Sequence, residues 1–178
     1  MGMGPMGLGR WFAEQRQRGR AYQPRFHRGH LSVTWLGALL ALALLALLSA
    51  WSGQVLLAAP LGASSVLLFG YPASPLAQPR NIVLGNALGA LVGVALAASL
   101  GRAPLVSALA VGLTILLSQR LRCLHPPAGG LAFLVVALGA SLPYVLTPVL
   151  SGSLLLVVLA AGFSRWVRGA LPYPHHWL

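Results

Sequence analysis

The chain has 178 residues, 57% of them hydrophobic and only 7% charged, and its formal charge of +11 is carried by arginine alone. A water-soluble domain needs about a quarter of its residues charged, so this composition, with a mean hydropathy of +0.80, excludes one and makes lipid the outer solvent. A nucleic-acid partner is excluded as well, because the arginines flank apolar runs and form no patch interleaved with aromatics.

Residues 1–30 come first and carry Arg10, Arg16, Arg18, Arg20, Arg25 and Arg28 beside the sole acid, Glu14. They read as a basic cytoplasmic segment: the first ten residues are expected to be disordered, and 11–20 a weakly patterned amphipathic helix. Six apolar segments follow, at about 31–50, 52–70, 82–100, 104–119, 124–142 and 145–163. The first is too long for a signal-peptide core and reads as a retained anchor. The fold expected is therefore all-α, a polytopic transmembrane helical bundle of six spans. Residues 31–164 form its membrane domain and 165–178 a cytoplasmic tail. With the N-terminus inside, eleven arginines fall on the cytoplasmic side and Arg102 alone outside, a strong positive-inside bias. Such a protein belongs in a plasma (inner) membrane of the bacterial type. The competing arrangement has four spans, with segments two and five re-entrant.

The two halves of the chain align weakly. Pro60-Leu61-Gly62-Ala63 falls on Pro127-Ala128-Gly129-Gly130, and at the same offset Gly85 meets Gly152 and Asn86 meets Ser153. Three spans per half would make the halves antiparallel, an inverted repeat. A proline- or glycine-broken segment at corresponding places is then the sequence pointer to a transporter's site.

Those breaks favour anions. Proline fits a first helical turn, so Ala128, Gly129 and Gly130 after Pro126 and Pro127 would offer backbone N–H groups at a positive helix end. Gly62, Ala63, Ser64 and Ser65 would do the same after Pro60. The bland alternative is that the prolines kink and the glycines pack. His125 could bind a substrate oxygen, carry a proton or cap a helix. No span contains a carboxylate, which excludes an Asp/Glu proton relay and a carboxylate cation site. Gln78, Arg80 and Asn81 end a proline-rich loop over residues 70–81. Together with Arg122, they would line a positive vestibule on the side of His125. Arg120 and Arg122 could equally be plain anchors. Cys123 has no cysteine partner and reads as a buried filler.

Three motifs in order carry a resemblance. Pro60-Leu61-Gly62-Ala63-Ser64-Ser65-Val66-Leu67-Leu68-Phe69, then Ser74-Pro75-Leu76-Ala77-Gln78-Pro79-Arg80-Asn81, then Leu124-His125-Pro126-Pro127-Ala128-Gly129 resemble the HPP family of integral membrane proteins. With Tyr173-Pro174-His175-His176-Trp177 they cover most of residues 30–178. Gly130 stands where the family pattern leads one to expect Ala or another small residue. The resemblance implies a membrane protein of four or more spans. Some plant plastid and cyanobacterial members are linked to nitrite transport, which makes nitrite the first small inorganic anion to consider. The alternative is a non-transporting structural or accessory subunit. An enzyme is not expected, because no nucleophile–base or acid pair is visible.

Gly85, Gly89 and Gly93 share one helix face and predict close helix contact, within the protomer or in a homo-oligomer, with Asn86 making an interhelical hydrogen bond. His175 and His176 lack a third metal ligand. Trp166, Tyr173 and Trp177 read as interfacial anchors. No cofactor is expected.

Overall fold

A computed structural model describes residues 8–22, 26–53 and 59–177. Helix α1 (Leu8–Tyr22) is solvent-exposed and starts earlier than expected. The disorder expected of the first ten residues falls, for 1–7, outside the described residues, whereas Leu8, Gly9 and Arg10 are helical.

Helix α2 (Arg28–Ser52) starts where His27 Nδ1 accepts the Gly29 N–H at 3.3 Å and ends at Gly53, whose φ of 68° lies in the left-handed region that glycine tolerates. Most of its leucines and both tryptophans face outward, while Gly37, Ala41 and Leu45 form the buried stripe. A Cβ at Gly37 would strike Phe69 and Phe163, whose rings meet edge-on 5.7 Å apart. Helix α3 (Ala59–Ser65) widens into a π-helical stretch over Val66–Gly70. The two together rise about 18 Å, well short of the ~30 Å hydrocarbon layer.

A turn over Pro75–Ala77, capped by Ser74 Oγ on the Leu76 N–H at 3.2 Å, leads into α4 (Pro79–Leu100), which has proline in its first turn. Helix α5 (Pro104–Arg120) also starts on proline. After a short loop, α6 (Pro126–Leu138) begins on the proline pair and is stopped by Gly139 at φ 60°. It starts two residues later than the fifth apolar segment because Pro126 is its first helical residue and His125 its cap. Helix α7 (Leu142–Tyr144) runs through a distorted stretch, Val145–Leu150, into α8 (Ser151–Trp166). Thr147 leaves helical geometry there (φ −133°, ψ 118°), a break the sequence reading did not foresee although Pro148 marks it.

Among the described residues, three helical stretches are long and apolar enough to cross a membrane, Arg28–Trp51, Pro79–Leu100 and Leu142–Trp166; Ala59–Gly70, Pro104–Arg120 and Pro126–Leu138 are shorter apolar helices. The bundle is built around α4, which packs against α5, α6 and α8. Its glycine stripe sets the closest approach. A Cβ on Gly85 would meet the Cys123 carbonyl and His125, one on Gly89 the Ala128 backbone, and one on Gly93 the Val135 side chain. All three glycines are buried. The stripe therefore packs α4 on α6 inside the protomer, the first of its two expected uses.

Candidate functional site

Prolines create the site by stopping helices. Each break leaves backbone carbonyls without helical partners, and a buried carbonyl needs a donor. The polar residues of the proline-rich loop supply them. Arg80 donates from Nη2 to the Leu121 carbonyl at 3.0 Å, and Asn81 from Nδ2 to the Leu124 carbonyl at 2.8 Å. The fully buried Gln78 donates from Nε2 to the carbonyls of Pro72 (2.9 Å) and Ser74 (2.8 Å). Its Oε1 accepts the backbone N–H groups of His175 (3.0 Å) and His176 (3.4 Å). Loop 70–81, loop 121–125 and the tail are thus one braced unit. The two loops meet as expected, but by gripping each other's backbone.

His125 closes the brace. Its ring is 2% exposed, with Nδ1 2.9 Å from the Leu76 carbonyl and Nε2 2.8 Å from Ser64 Oγ. A carbonyl only accepts, so Nδ1 carries the proton, and in the neutral ring Nε2 accepts from the Ser64 hydroxyl. Ser64 has a second acceptor in reach, the Pro60 carbonyl at 3.1 Å. Both ring nitrogens are engaged by the protein, so His125 ties α3 to the loop and to the start of α6. Cys123, 1% exposed, is buried beside it, as its reading as a filler requires.

Between α3 and α6 lies a cleft of about 650 Å³. Of the sequence-predicted residues, Ala63, Pro126, Pro127 and Gly130 line it, together with Pro60. Gly62, Ser64, Ser65, Ala128, Gly129, His125, Gln78, Arg80, Asn81 and Arg122 do not. Ser65 Oγ is turned back to the Gly62 carbonyl at 2.7 Å, and the Ala128 N–H is already bonded to the His125 carbonyl at 3.0 Å. The proline pair lacks N–H groups, so the start of α6 offers its electrostatic polarity more than free donors. Phe133, Leu67 and Leu134 complete the walls. They were missed because an apolar residue in an apolar span carries no local signal. Arg120 and Arg122 are exposed at the same end as Arg80, and Arg122 takes a φ of 53° as the chain turns toward His125.

Deeper in the bundle, Asn86 Nδ2 donates to Ser153 Oγ at 3.0 Å, the interhelical bond expected of Asn86. The tail differs from expectation. Ser164 Oγ donates to the Leu171 carbonyl and accepts the Tyr173 N–H, both at 2.8 Å, which folds the tail back under α8. Tyr173, read as an interfacial anchor, is 7% exposed and packs in the core, whereas Trp166 and Trp177 are exposed. Burial pushes the Tyr173 hydroxyl well above the ordinary tyrosine range.

Long apolar helices, lipid-type side chains on the outside and an arginine-rich polar end define a multi-pass helical membrane protein. Its family follows from residues 23–174, which match the family described as HPP, transmembrane region. The chain belongs to that family. It is also similar to two Dictyostelium discoideum proteins named simply as transmembrane proteins, 36% identical over 157 residues and 35% identical over 156 residues. Each alignment covers 81% of this chain but only 54% and 50% of the relatives, so the chain spans about half their length. No solved structure matches it.

Proposed function

We propose that the protein is a membrane transporter for a small monovalent inorganic anion, with nitrite the first candidate, and that the α3–α6 cleft is its transport site. One observation carries the reading. Ala59, Pro60, Ala63 and Leu67 line one wall of the cleft, and the residues 67 positions further on, Pro126, Pro127, Gly130 and Leu134, line the other. Asn86 and Ser153, hydrogen-bonded to each other, share that offset. Equivalent residues of a repeat face each other where a two-fold axis runs between them. Helix order supports the same symmetry, because a short proline-initiated helix sits at the middle of each three-helix half. This favours six segments arranged as two inverted repeats, with the cleft on the axis where such transporters place their cargo.

Charge selects the anion. The sole acid is Glu14, so no negative side chain lies in residues 26–177. Arg80, Arg120 and Arg122 set a positive potential at one end, and the positive end of α6 faces the cleft. The walls are apolar, which penalises a strongly hydrated divalent ion far more than a weakly hydrated monovalent one. The resemblance of the three motifs to family members linked to nitrite puts nitrite first. Arginine distribution supports cytoplasmic termini in a plasma (inner) membrane.

Purified protein in liposomes should move nitrite inward. Ala63→Trp and Gly130→Trp, each projecting an indole from an exposed position into the cleft, should stop the flux while the protein still folds. Uninhibited flux in both variants would remove the cleft from the path. No flux of nitrite, nitrate, formate or bicarbonate in the unmodified protein would favour the structural or accessory subunit. A periplasmic signal from a C-terminal reporter would overturn the six-span topology.

A further inference from the structure

A second groove, of about 730 Å³, runs between α2 and α8 and ends at the tail. Its long walls are apolar, with Leu40 and Leu44 on α2 and Val158 on α8. At one end the Trp166 ring lies over Gly162, and Arg165 and Trp177 close the groove. We infer that this groove is a binding site for one anionic phospholipid, its acyl chain along α2 and α8 and its phosphate on Arg165.

Charge complementarity decides the occupant. Among the described residues, Arg165 is the only charged one lining the groove. Among the described residues no acid other than Glu14, on α1, exists to neutralise it, and the next cation, Arg168, adds to the same charge. A zwitterionic headgroup brings its own cation and leaves this charge unbalanced, whereas a phosphodiester with no cation balances it. The two exposed indoles line the groove together with the arginine, as side chains beside an interfacial glycerol backbone would. Above them, Gly37 to Leu44 give the groove about 10 Å of apolar wall, room for an acyl segment and nothing polar to hold a free inorganic ion.

The groove is not a by-product of helix packing. In the other half α5 lies directly against α4 and α6, with Val106 and Ala110 buried in the contact. The residue matched to Arg165 by the 67-residue offset is Ala98. Among the described residues, trough and cation occur together in this half.

The test uses the full chain in neutral detergent and reads its melting temperature with added phosphatidylglycerol, phosphatidylcholine or inorganic phosphate. Phosphatidylglycerol should raise it more than phosphatidylcholine. The exposed substitution Arg165→Gln should erase most of that difference, Arg165→Lys should keep part of it, and Arg120→Gln should keep all of it. Equal effects of the two lipids, a full difference surviving in Arg165→Gln, or the same shift from inorganic phosphate alone would each overturn the inference.

Discussion

Replacing His125 with alanine removes one ring and two hydrogen bonds, and the structure says how unequal those losses are. The Ser64 hydroxyl can turn to the Pro60 carbonyl, 3.1 Å away, so it is not orphaned. The Leu76 carbonyl loses its side-chain donor. A buried ring is also lost at the junction of α3, α4 and α6, where Gly85 holds the backbone too close for the gap to fill easily. Cavity formation by a side chain of this size costs about 2–4 kcal/mol and the hydrogen bond about 1 more, so His125→Ala should lose roughly 3–5 kcal/mol of stability. Ser64→Ala leaves Nε2 buried and unpaired, a cost of about 1–2 kcal/mol. Because the pair interacts directly at 2.8 Å, the double variant should fall short of additivity by about 1 kcal/mol, within the range measured for hydrogen bonds between membrane helices. Unfolding by titration with dodecyl sulfate gives all three values, and nitrite flux per folded molecule gives the functional one. Total flux should fall with the folded fraction, and flux per folded molecule should stay that of the parent. A His125→Ala protein as stable as its parent but devoid of flux would refute the bracing role and place the ring on the cargo.

Gly89→Ala should destabilise by about 1–3 kcal/mol, because its Cβ would press on the Ala128 backbone, which cannot yield as a side chain would. Gly112→Ala, with nothing near its Cβ, should be neutral or slightly stabilising; equal melting temperatures for the two variants would contradict the α4–α6 contact. Gln78→Leu should release the tail, since His175 and His176 lose their shared acceptor, and limited proteolysis should then cut near residue 172 in the variant and not in the parent. Amides of α3 should exchange with deuterium faster than those of α6, and the reverse order would contradict the packing of the two halves.

The six apolar segments are legible in sequence because lipid selects apolar side chains, although among the described residues only three form helices long enough to match the hydrocarbon thickness. One of them deceives for the same reason. Apolar residues continue to Leu142 after α6 has stopped at Gly139, since lipid selects for hydrophobicity and not for helix. The residues of the candidate site stand out in sequence by position, but their hydrogen-bond partners do not. Gln78, Arg80 and Asn81 look like ligand groups because polar residues beside lipid usually serve function. Their partners are the carbonyls of Pro72, Ser74, Leu121 and Leu124, which the proline-started helices leave in loops, where a buried carbonyl needs a donor. No local pattern records that need. The glycine stripe shows the same limit: its spacing announces a contact but not that His125 and Ala128 are on the other side.

In the proposed repeat, the imperfect match between the halves says which wall of the cleft is fixed. On α4, Gly85, Gly89 and Gly93 let α6 nest against bare backbone. The 67-residue offset replaces them on α8 with Gly152, Leu156 and Ala160. Leu156 and Ala160 are buried in the core cluster that also holds Leu61 of α3. A leucine where the other half has glycine keeps α3 from approaching α8 as closely as α6 approaches α4. Helix α6 is thus clamped along its length, whereas α3 relies on apolar side-chain contact and on one bond from Ser64 to His125. If cargo passes between these helices, the wall that moves is α3, and the histidine is the point where its movement is felt by α6.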